Sequence, residues 1–456
     1  MKIDSFVDAQ EIQKRLQNIG KNAYGISGIE DITRFLTYVK YADGRTNYKI
    51  KLLDFHDYSA NQSNHTKFEQ LLISKCISYN RTNYSKSLVV YKLRNLDTTE
   101  LDDLLKSDIF DLAEEIVSMP FFDLALDSLI SQKDIRIKYP DENKKITTVG
   151  LLDNGIEPIH QLKPWIDGKR VSTYPDSFIQ ATHGTFVAGV ITYGDELQEK
   201  DMTGANNVKV FDGAVFPDLN KERLEEDDLI ENIREIIKQK HQEIKIWNLS
   251  ISISKEISDS KFSDSAIALD AMQDEFNVLI CKSAGNCTNF ASGNILGRLH
   301  EGADSVRSLV VGSVADKKEN YDLSNPGNPL PFSRRGPGPA YIIKPDIVHF
   351  GGNAGTDTTG RILETGVYSF SKNGIIVEKA GTSFSTPRVA SLAAGLMNDI
   401  DEDFDPLLIK ALIIHSANYS PELTVPEVER KKYLGFGVPG TVRQILYNTS
   451  YNEYCY

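Results

Sequence analysis

Cysteine is scarce in this sequence of 456 residues, which has only Cys76, Cys281, Cys287 and Cys455. Four cysteines in so long a chain do not make a disulfide framework, and these four lack the paired spacing of a zinc site. No acidic loop has the pattern of a calcium site either. We therefore expect reduced thiols, a cytoplasmic location, no metal and no cofactor.

Long apolar runs and an excess of basic residues are also missing. Residues 1–8 lack the apolar stretch of a secretory signal, and no run approaches the length of a transmembrane helix. Acidic residues outnumber basic ones by 64 to 51, which gives a formal net charge of −13. Because a nucleic-acid-binding protein normally carries a basic patch, this balance argues against such a role. We expect neither a membrane nor a nucleic acid as partner.

The remaining composition is ordinary for a globular protein, at 40% hydrophobic and 25% charged, in a chain long enough for two or three domains. Residues 1–140 are predicted to form a small α+β domain. Tyr48, Ile50 and Leu52 alternate as in a strand, and apolar residues at helical spacing follow them. No catalytic motif falls in this part, so we expect a regulatory, partner-binding or prodomain-like role for it.

Residues 146–450 alternate between short apolar runs and amphipathic helices. The predicted strands are 149–152, 208–216, 244–249, 278–281 and 306–314. Strands separated by helices predict an α/β fold, a parallel sheet with helices on both faces. In such sheets functional residues gather at the carboxyl ends of the strands, and Asp153 and Asn286 follow predicted strands.

Three residues with the chemistry of a nucleophilic hydrolase occur in separate blocks of small residues. Asp153 lies in Leu-Leu-Asp-Asn-Gly, His183 in His-Gly-Thr-Phe-Val-Ala-Gly, and Ser383 in Gly-Thr-Ser-Phe-Ser-Thr-Pro. A carboxylate can orient an imidazole, which takes the proton of a hydroxyl that attacks a carbonyl carbon. The apolar positions that follow predict a helix beginning at His183 and another at Ser383, with Pro387 in the first turn of the latter.

Each of these residues also has a purely structural interpretation. Ser383 can be a helix N-cap, His183 a partly buried structural histidine, and Asp153 part of an ordinary turn. Asn286, in Ser-Ala-Gly-Asn, is a candidate to donate its amide to an oxyanion together with the backbone N–H of Ser383. Its alternative is an asparagine in a tight loop. The occurrence of all four blocks in one chain favours the hydrolase.

These four blocks together resemble the subtilisin-like serine peptidase family, in which acid, base and nucleophile follow in this order. The likeness covers roughly residues 146–447. It includes the framework segments 247–250, 332–337, 344–348 and 433–437.

The resemblance implies a subtilisin-like sheet, a triad of Asp153, His183 and Ser383, and Asn286 as the oxyanion donor. It also implies two backbone edges that hold an extended peptide by strand addition. The edge residues are Ser250, Ile251 and Ser252, and Ser283, Ala284 and Gly285. Ser252 stands where many relatives have glycine, which implies a narrower pocket for the residue preceding the cleaved bond.

Residues 183–197 are similar to a bacterial cytoplasmic branch of this family. Members of that branch are often encoded beside an AAA-type ATPase, and some such pairs defend bacteria against phage. The resemblance implies a serine endopeptidase that acts on protein or peptide substrates, with an AAA-type ATPase as partner. Two alternatives stay open: a catalytically silent module that keeps the fold, and a latent enzyme that the ATPase activates.

Overall fold

The computed structural model describes residues 6–18, 20–21, 36–42, 44–120, 129–130, 135–253, 255–287, 297–319, 321–357, 361–400 and 403–447. The chain divides into two compact units. The first comprises Met1–Asn83 and Val89–Met119, and the second comprises Tyr84–Leu88 and Pro120–Tyr456. Cys455 lies outside the described residues, and the other three cysteines are free thiols.

The first unit is a five-stranded sheet with helices. Its elements are α1 (Phe6–Gln17), β1 (Tyr38–Lys40), β2 (Tyr48–Leu52), α2 (Tyr58–Ser74), β3 (Tyr79–Asn83), β4 (Val89–Leu93), α3 (Thr98–Leu105) and β5 (Ala113–Ser118). The strand order is β1-β5-β2-β4-β3, in which β1 and β5 are parallel and the other pairs antiparallel. Phe68 and Leu72 of α2 are buried in one cluster with Ile50 and Tyr91 of the sheet. The alternating residues predicted as a strand form β2.

The second unit contains the remaining elements. Its strands are β6 (Leu129–Ile130), β7 (Thr147–Asp153), β8 (Val171–Ser172), β9 (Val208–Ala214), β10 (Ile246–Leu249), β11 (Leu279–Ser283), β12 (Leu309–Val314), β13 (Ile347–Phe350), β14 (Asn353–Thr356), β15 (Ile362–Thr365), β16 (Val367–Phe370) and β17 (Ile376–Lys379). Its helices are α4 (Thr182–Gln198), α5 (Glu226–Lys240), α6 (Asp264–Phe276), α7 (Thr382–Asp399), α8 (Pro406–Ser416), α9 (Glu427–Leu434) and α10 (Val442–Leu446).

Seven strands form one parallel sheet in the order β13-β12-β11-β10-β7-β9-β8. Helices α4 and α7 pack against one face, where their apolar side chains share a core with Val149, Leu151 and Leu279. Helix α5 covers the other face. A Cβ on Gly213 of β9 would lie 3.1 Å from the side chain of Ile236, which belongs to this helix. Every residue of β12 is buried, as expected for a strand that is covered on both faces. The predicted α/β fold is confirmed.

Two smaller sheets complete the second unit: β14 pairs with β15, and β17 lies between β16 and β6, all antiparallel. Helix α7 starts three residues after β17, so this small sheet leads directly into the segment that carries Ser383. Among the described helices, none combines the length and apolarity that a bilayer crossing requires.

Candidate active site

A buried carboxylate and imidazole form the centre of the site. Asp153 is the last residue of β7 and is fully buried, and His183 in the first turn of α4 is 2% exposed. The Nδ1 atom of His183 lies 2.9 Å from both carboxylate oxygens of Asp153. A carboxylate that binds Nδ1–H leaves Nε2 free to accept a proton, and it stabilises the imidazolium that results. The structure therefore brings together two predicted residues 30 positions apart.

Asn154 and Gly184 determine how the start of α4 meets the end of β7. The side-chain oxygen of Asn154 accepts a hydrogen bond at 3.0 Å from the backbone N–H of Gly184, one of the N–H groups that a helix start leaves unpaired. A Cβ on Gly184 would lie 2.2 Å from the carbonyl oxygen of Gly155, so the close approach requires glycine. The small residues around Asp153 and His183 therefore allow two backbone segments to approach each other closely.

Ser383, the second residue of α7, exchanges two hydrogen bonds with Ser250. The Ser383 hydroxyl donates to the Ser250 carbonyl at 3.2 Å, and the Ser250 hydroxyl donates to the Ser383 carbonyl at 3.1 Å. Pro387 lies in the second turn of α7, so the prediction that it lies in the first turn is wrong. Because proline has no N–H, the Ser383 carbonyl lacks its usual helical donor, and the Ser250 hydroxyl takes that place.

The Ser383 hydroxyl is not hydrogen-bonded to the His183 imidazole among the contacts of the described residues. The two residues are neighbours through Phe384, whose ring centroid lies 5.8 Å from that of His183. Hydrogen bonds of catalytic groups are often long or misaligned until the substrate binds. In the structure, Asp153 is thus hydrogen-bonded to His183, whereas the hydroxyl of Ser383 is hydrogen-bonded to the carbonyl of Ser250.

Asn286 is exposed, and Thr382 holds its side-chain amide in one orientation. The Oδ1 atom accepts hydrogen bonds from the Thr382 N–H at 3.0 Å and from the Thr382 hydroxyl at 2.9 Å. That hydroxyl in turn accepts a bond from the N–H of Gly285 at 3.2 Å. With Oδ1 bound in this way, the Nδ2 group is the donor that Asn286 can offer to an oxyanion. Sequence reasoning missed Thr382, although it directly precedes the candidate nucleophile.

The six predicted edge residues form two segments that face each other. They are Ser250, Ile251 and Ser252 after β10, and Ser283, Ala284 and Gly285 at the end of β11. The Ser252 hydroxyl lies 2.4 Å from the position that a Cβ on Gly285 would take. The Nδ1 atom of His300 lies 3.4 Å from the same hydroxyl. Ser252 therefore occupies space between the two edges.

A buried lysine that the sequence did not single out joins the two edges. Lys282 is 3% exposed, and its Nζ donates to the carbonyl oxygen of Ile251 and, at 2.9 Å, to that of Ser283. Burial lowers the pKa of Lys282 to about 7, and the carboxylate of Asp304 opposes this shift. A lysine within the apolar run of a strand belongs to no local motif, so no sequence signal marked it.

A second acidic residue supports the turn after Asp153. Asp212, buried on β9, accepts hydrogen bonds from Nε of Arg170 at 2.7 Å and from the N–H of Ile156 at 3.0 Å. Arg170 also donates to the carbonyl of Ile156 at 2.7 Å. Burial raises the pKa of Asp212, Arg170 opposes the shift, and the charge of Asp153 adds to it. Asp212 and Arg170 together hold the loop that follows Asp153. Sequence reasoning missed this role because Asp212 falls inside an ordinary strand pattern.

Within the described part of the chain, one group of acidic residues has the spacing of a metal site. The carboxylate oxygens of Glu225, Asp227 and Asp228 lie within 4.8 Å of one another. These residues begin α5, where the partial positive charge of the helix N-terminus stabilises acidic side chains. That position accounts for the group, and none of the predicted site residues belongs to it.

Comparisons with known proteins agree with this fold. The model of the subtilase family matches residues 144–437. The epidermin leader peptide processing serine protease (EpiP) of Staphylococcus aureus is similar in structure, with a TM-score of 0.52, 15% identity, and coverage of 90% of this chain and 100% of its own. Fervidolysin from Fervidobacterium pennivorans, a keratinolytic enzyme related to subtilisin, has a TM-score of 0.52, 13% identity, and coverage of 92% of this chain and 64% of its own.

A curated relative, the uncharacterized protein y4bN of Sinorhizobium fredii, is 29% identical over 241 residues. The match covers 44% of this chain and 54% of the relative, so the chain spans about half the length of the curated protein that it matches. At their identities the solved structures show the fold alone. The family model, in contrast, matches more than half of the chain and includes Asp153, His183, Asn286 and Ser383. The chain belongs to the subtilase family and has the fold of a subtilisin-like serine peptidase.

Proposed function

We propose that the chain is a serine endopeptidase whose triad is Asp153, His183 and Ser383. The observation that carries the proposal is the buried pair of Asp153 and His183, 2.9 Å apart, next to the start of the helix that carries Ser383. Nε2 of His183 takes the proton of the Ser383 hydroxyl, whose oxygen attacks the carbonyl carbon of the peptide bond. His183 then gives that proton to the leaving amine, and water resolves the acyl-enzyme with the same base.

The oxyanion of the tetrahedral intermediate is proposed to accept hydrogen bonds from Nδ2 of Asn286 and from the backbone N–H of Ser383. Supporting this role, Thr382 holds the Asn286 amide by its oxygen, and Ser383 lies at a helix start, where N–H groups lack helical partners. The edges 250–252 and 283–285 would bind the substrate backbone as an added strand. Substrate is therefore proposed to be an extended stretch of protein or peptide.

A fluorophosphonate probe tests the assignment because it reacts covalently with an activated serine. We expect labelling of the wild-type chain and of Ser385→Ala, a change two residues from the nucleophile on the same helix. We expect no labelling of Ser383→Ala. Equal labelling of wild type and Ser383→Ala would refute the proposed nucleophile.

A catalytically silent binding module is the second candidate, and one contact favours it. The Ser383 hydroxyl donates to the Ser250 carbonyl instead of to His183. Hydrolysis of unfolded casein separates the two candidates: the peptidase is expected to cleave it and Ser383→Ala is not. Binding of casein without cleavage, combined with no fluorophosphonate labelling of the wild type, would favour the silent module.

Three further proposals concern a partner, a location and the role of residues 1–140. The AAA-type ATPase partner and the role in defence against phage are proposed from the resemblance of residues 183–197. An intracellular location is proposed from that resemblance and from the scarcity of cysteine. Casein hydrolysis that is no faster with the ATPase and ATP than without them would contradict that partnership. Residues 1–140 are proposed to be regulatory, partner-binding or prodomain-like. An intact mass lower in the wild type than in Ser383→Ala would support self-removal.

A further inference from the structure

Lys282 lies where the two candidate substrate edges begin. It pairs with Leu249, the last residue of β10, which the edge 250–252 follows. The edge 283–285 begins with Ser283, the last residue of β11. Its Nζ donates to the carbonyl of Ile251 on the first edge and to the carbonyl of Ser283 on the second. The Ser283 hydroxyl lies 3.4 Å from the same nitrogen. One side chain therefore connects two backbone segments that are 32 residues apart in sequence.

We infer that Lys282, in its protonated form, is a positioning residue that sets the spacing of the two edges that bind the peptide substrate. The inference rests on the proposed peptidase function. An ammonium group has three N–H donors, enough for both carbonyls and the hydroxyl, whereas a neutral amine has two donors and a lone pair. Hydrogen bonds from a charged donor are also stronger than those from a neutral one. Loss of the proton therefore weakens the connection between the edges.

Among the described residues, few charged groups influence the protonation of Lys282. Burial lowers its pKa to about 7, and Asp304 is the carboxylate that opposes this. Asp304 is itself bound to the N–H and the hydroxyl of Ser263, at 2.6 Å each, and burial raises its pKa. His300 also faces this region. Burial, Arg334 and Lys282 together lower the pKa of His300 to about 3, so His300 is neutral near pH 7.

In the described part of the chain, the flanking strands and helix α6 place uncharged residues next to Lys282. Its partners on the flanking strands are Leu249 on β10 and Val310 on β12. Ser265 and Leu269 of α6 lie beside Lys282: all three side chains are next to the position that a Cβ on Gly302 would take. No residue among these can replace the ammonium charge when Lys282 loses its proton.

The direction of the resulting pH dependence follows from the protonation state of Lys282 that connects the two edges. The protonated lysine predominates below its lowered pKa, so binding of an extended peptide is strongest there and weakens as the pH rises through about 7. We therefore expect kcat/KM for extended peptides to have an alkaline limb that comes from Lys282.

The test compares the full-length wild type with Lys282→Met, which keeps the length of the side chain and removes the charge. For a hexapeptide substrate we expect kcat/KM to fall about tenfold at pH 6, mainly through KM, as expected for losing a charged hydrogen bond. The alkaline limb should disappear. A small fluorophosphonate has no peptide chain to bind along the edges, so the rate at which it labels Ser383 should stay within about twofold of the wild type.

Lys410→Met is the matched control. The side chain of Lys410 is only 12% exposed, and it also donates to backbone carbonyls, at 2.8 Å to Val306 and 2.8 Å to Ser308. Its pKa is lowered by burial to about 8, but it touches neither edge in the contacts described. This variant should keep the alkaline limb. If Lys282→Met does not fold, Lys282→Arg replaces it, and its permanently charged side chain should remove the alkaline limb while preserving KM at pH 6.

A Lys282→Met enzyme with wild-type KM and an unchanged alkaline limb would overturn the inference. So would a Lys410→Met enzyme that loses the limb equally, because the limb would then report general stability. In both cases labelling of Ser383 in the wild type would leave the proposed peptidase standing. Failure of the wild type to label would instead refute the proposed function itself.

Discussion

The orientation of the Asn286 amide depends on Thr382, and Thr382→Val isolates the part that the hydroxyl contributes. Valine keeps the shape of threonine but cannot donate. Asn286 Oδ1 then loses its bond at 2.9 Å and keeps the one from the Thr382 N–H at 3.0 Å. The N–H of Gly285 loses its acceptor at 3.2 Å. The amide can consequently rotate away from the oxyanion, although its position in the loop is unchanged.

The expected loss in kcat is smaller than the loss from removing the amide donor altogether. Removing the amide donor completely costs about 10²–10³ in kcat, a magnitude known from subtilisin itself. Losing one hydrogen bond and leaving one N–H without its acceptor costs roughly 1–3 kcal/mol. The hydrogen bond that remains to Asn286 reduces this cost. We expect Thr382→Val to lower kcat on the order of tenfold. KM should hardly change, because the oxyanion exists only beyond the ground state.

Steady-state hydrolysis of one peptide substrate measures this effect, with Thr386→Val as the control. The Thr386 hydroxyl donates at 2.7 Å to the carbonyl of Thr382 within the same helix, so its loss removes a comparable bond without touching Asn286. Because Thr382 is expected to act through Asn286, the double variant with Asn286→Ala should be no slower than Asn286→Ala alone. A further tenfold loss in the double variant would refute this reasoning.

Three further predictions follow from the site and the core. Gly184→Ala places a Cβ 2.2 Å from the carbonyl oxygen of Gly155, so the free energy of unfolding in urea should fall by about 1–3 kcal/mol and kcat should fall with it. A variant as stable and active as the wild type would contradict that contact. Ser252→Gly removes the hydroxyl near Gly285, and kcat/KM for phenylalanine relative to alanine before the cleaved bond should rise roughly tenfold; an unchanged ratio would show that the hydroxyl does not restrict this position. Burial lowers the pKa of His349 to about 3 from 6.5, so between these values the unfolded chain binds more protons and the free energy of unfolding decreases as the pH falls. His349→Asn should reduce that slope by up to about 1.4 kcal/mol per pH unit, and an identical slope would exclude His349 as its source.

The candidate catalytic residues were accessible from sequence because each lies in a short block with its own signal. A strand end, a helix start and nearby glycines mark Asp153, His183 and Ser383 without reference to the rest of the chain. The position of Pro387 was harder, since apolar spacing defines a helix but not its first residue. The structure begins α7 at Thr382, and because Pro387 inside this helix has no N–H, the Ser383 carbonyl is available to Ser250, 133 residues away.

The residues that sequence reasoning missed act through distant partners. Asp212 is bound by Arg170, 42 residues earlier, and Thr382 holds Asn286 across 96 residues. Lys282 looks like an interruption of an apolar strand until burial and two carbonyl partners are known. None of these contacts leaves a local pattern.

By itself the sequence determined the parallel α/β architecture, the family likeness and the chemical types present at the site, because hydrophobic periodicity and short glycine-containing blocks are local properties. Only the tertiary structure decided which partner the Ser383 hydroxyl has, how the Asn286 amide is oriented and that Lys282 connects the two edges. These features depend on distances and burial between segments far apart in the chain, and they arise only when the sheet brings the segments together.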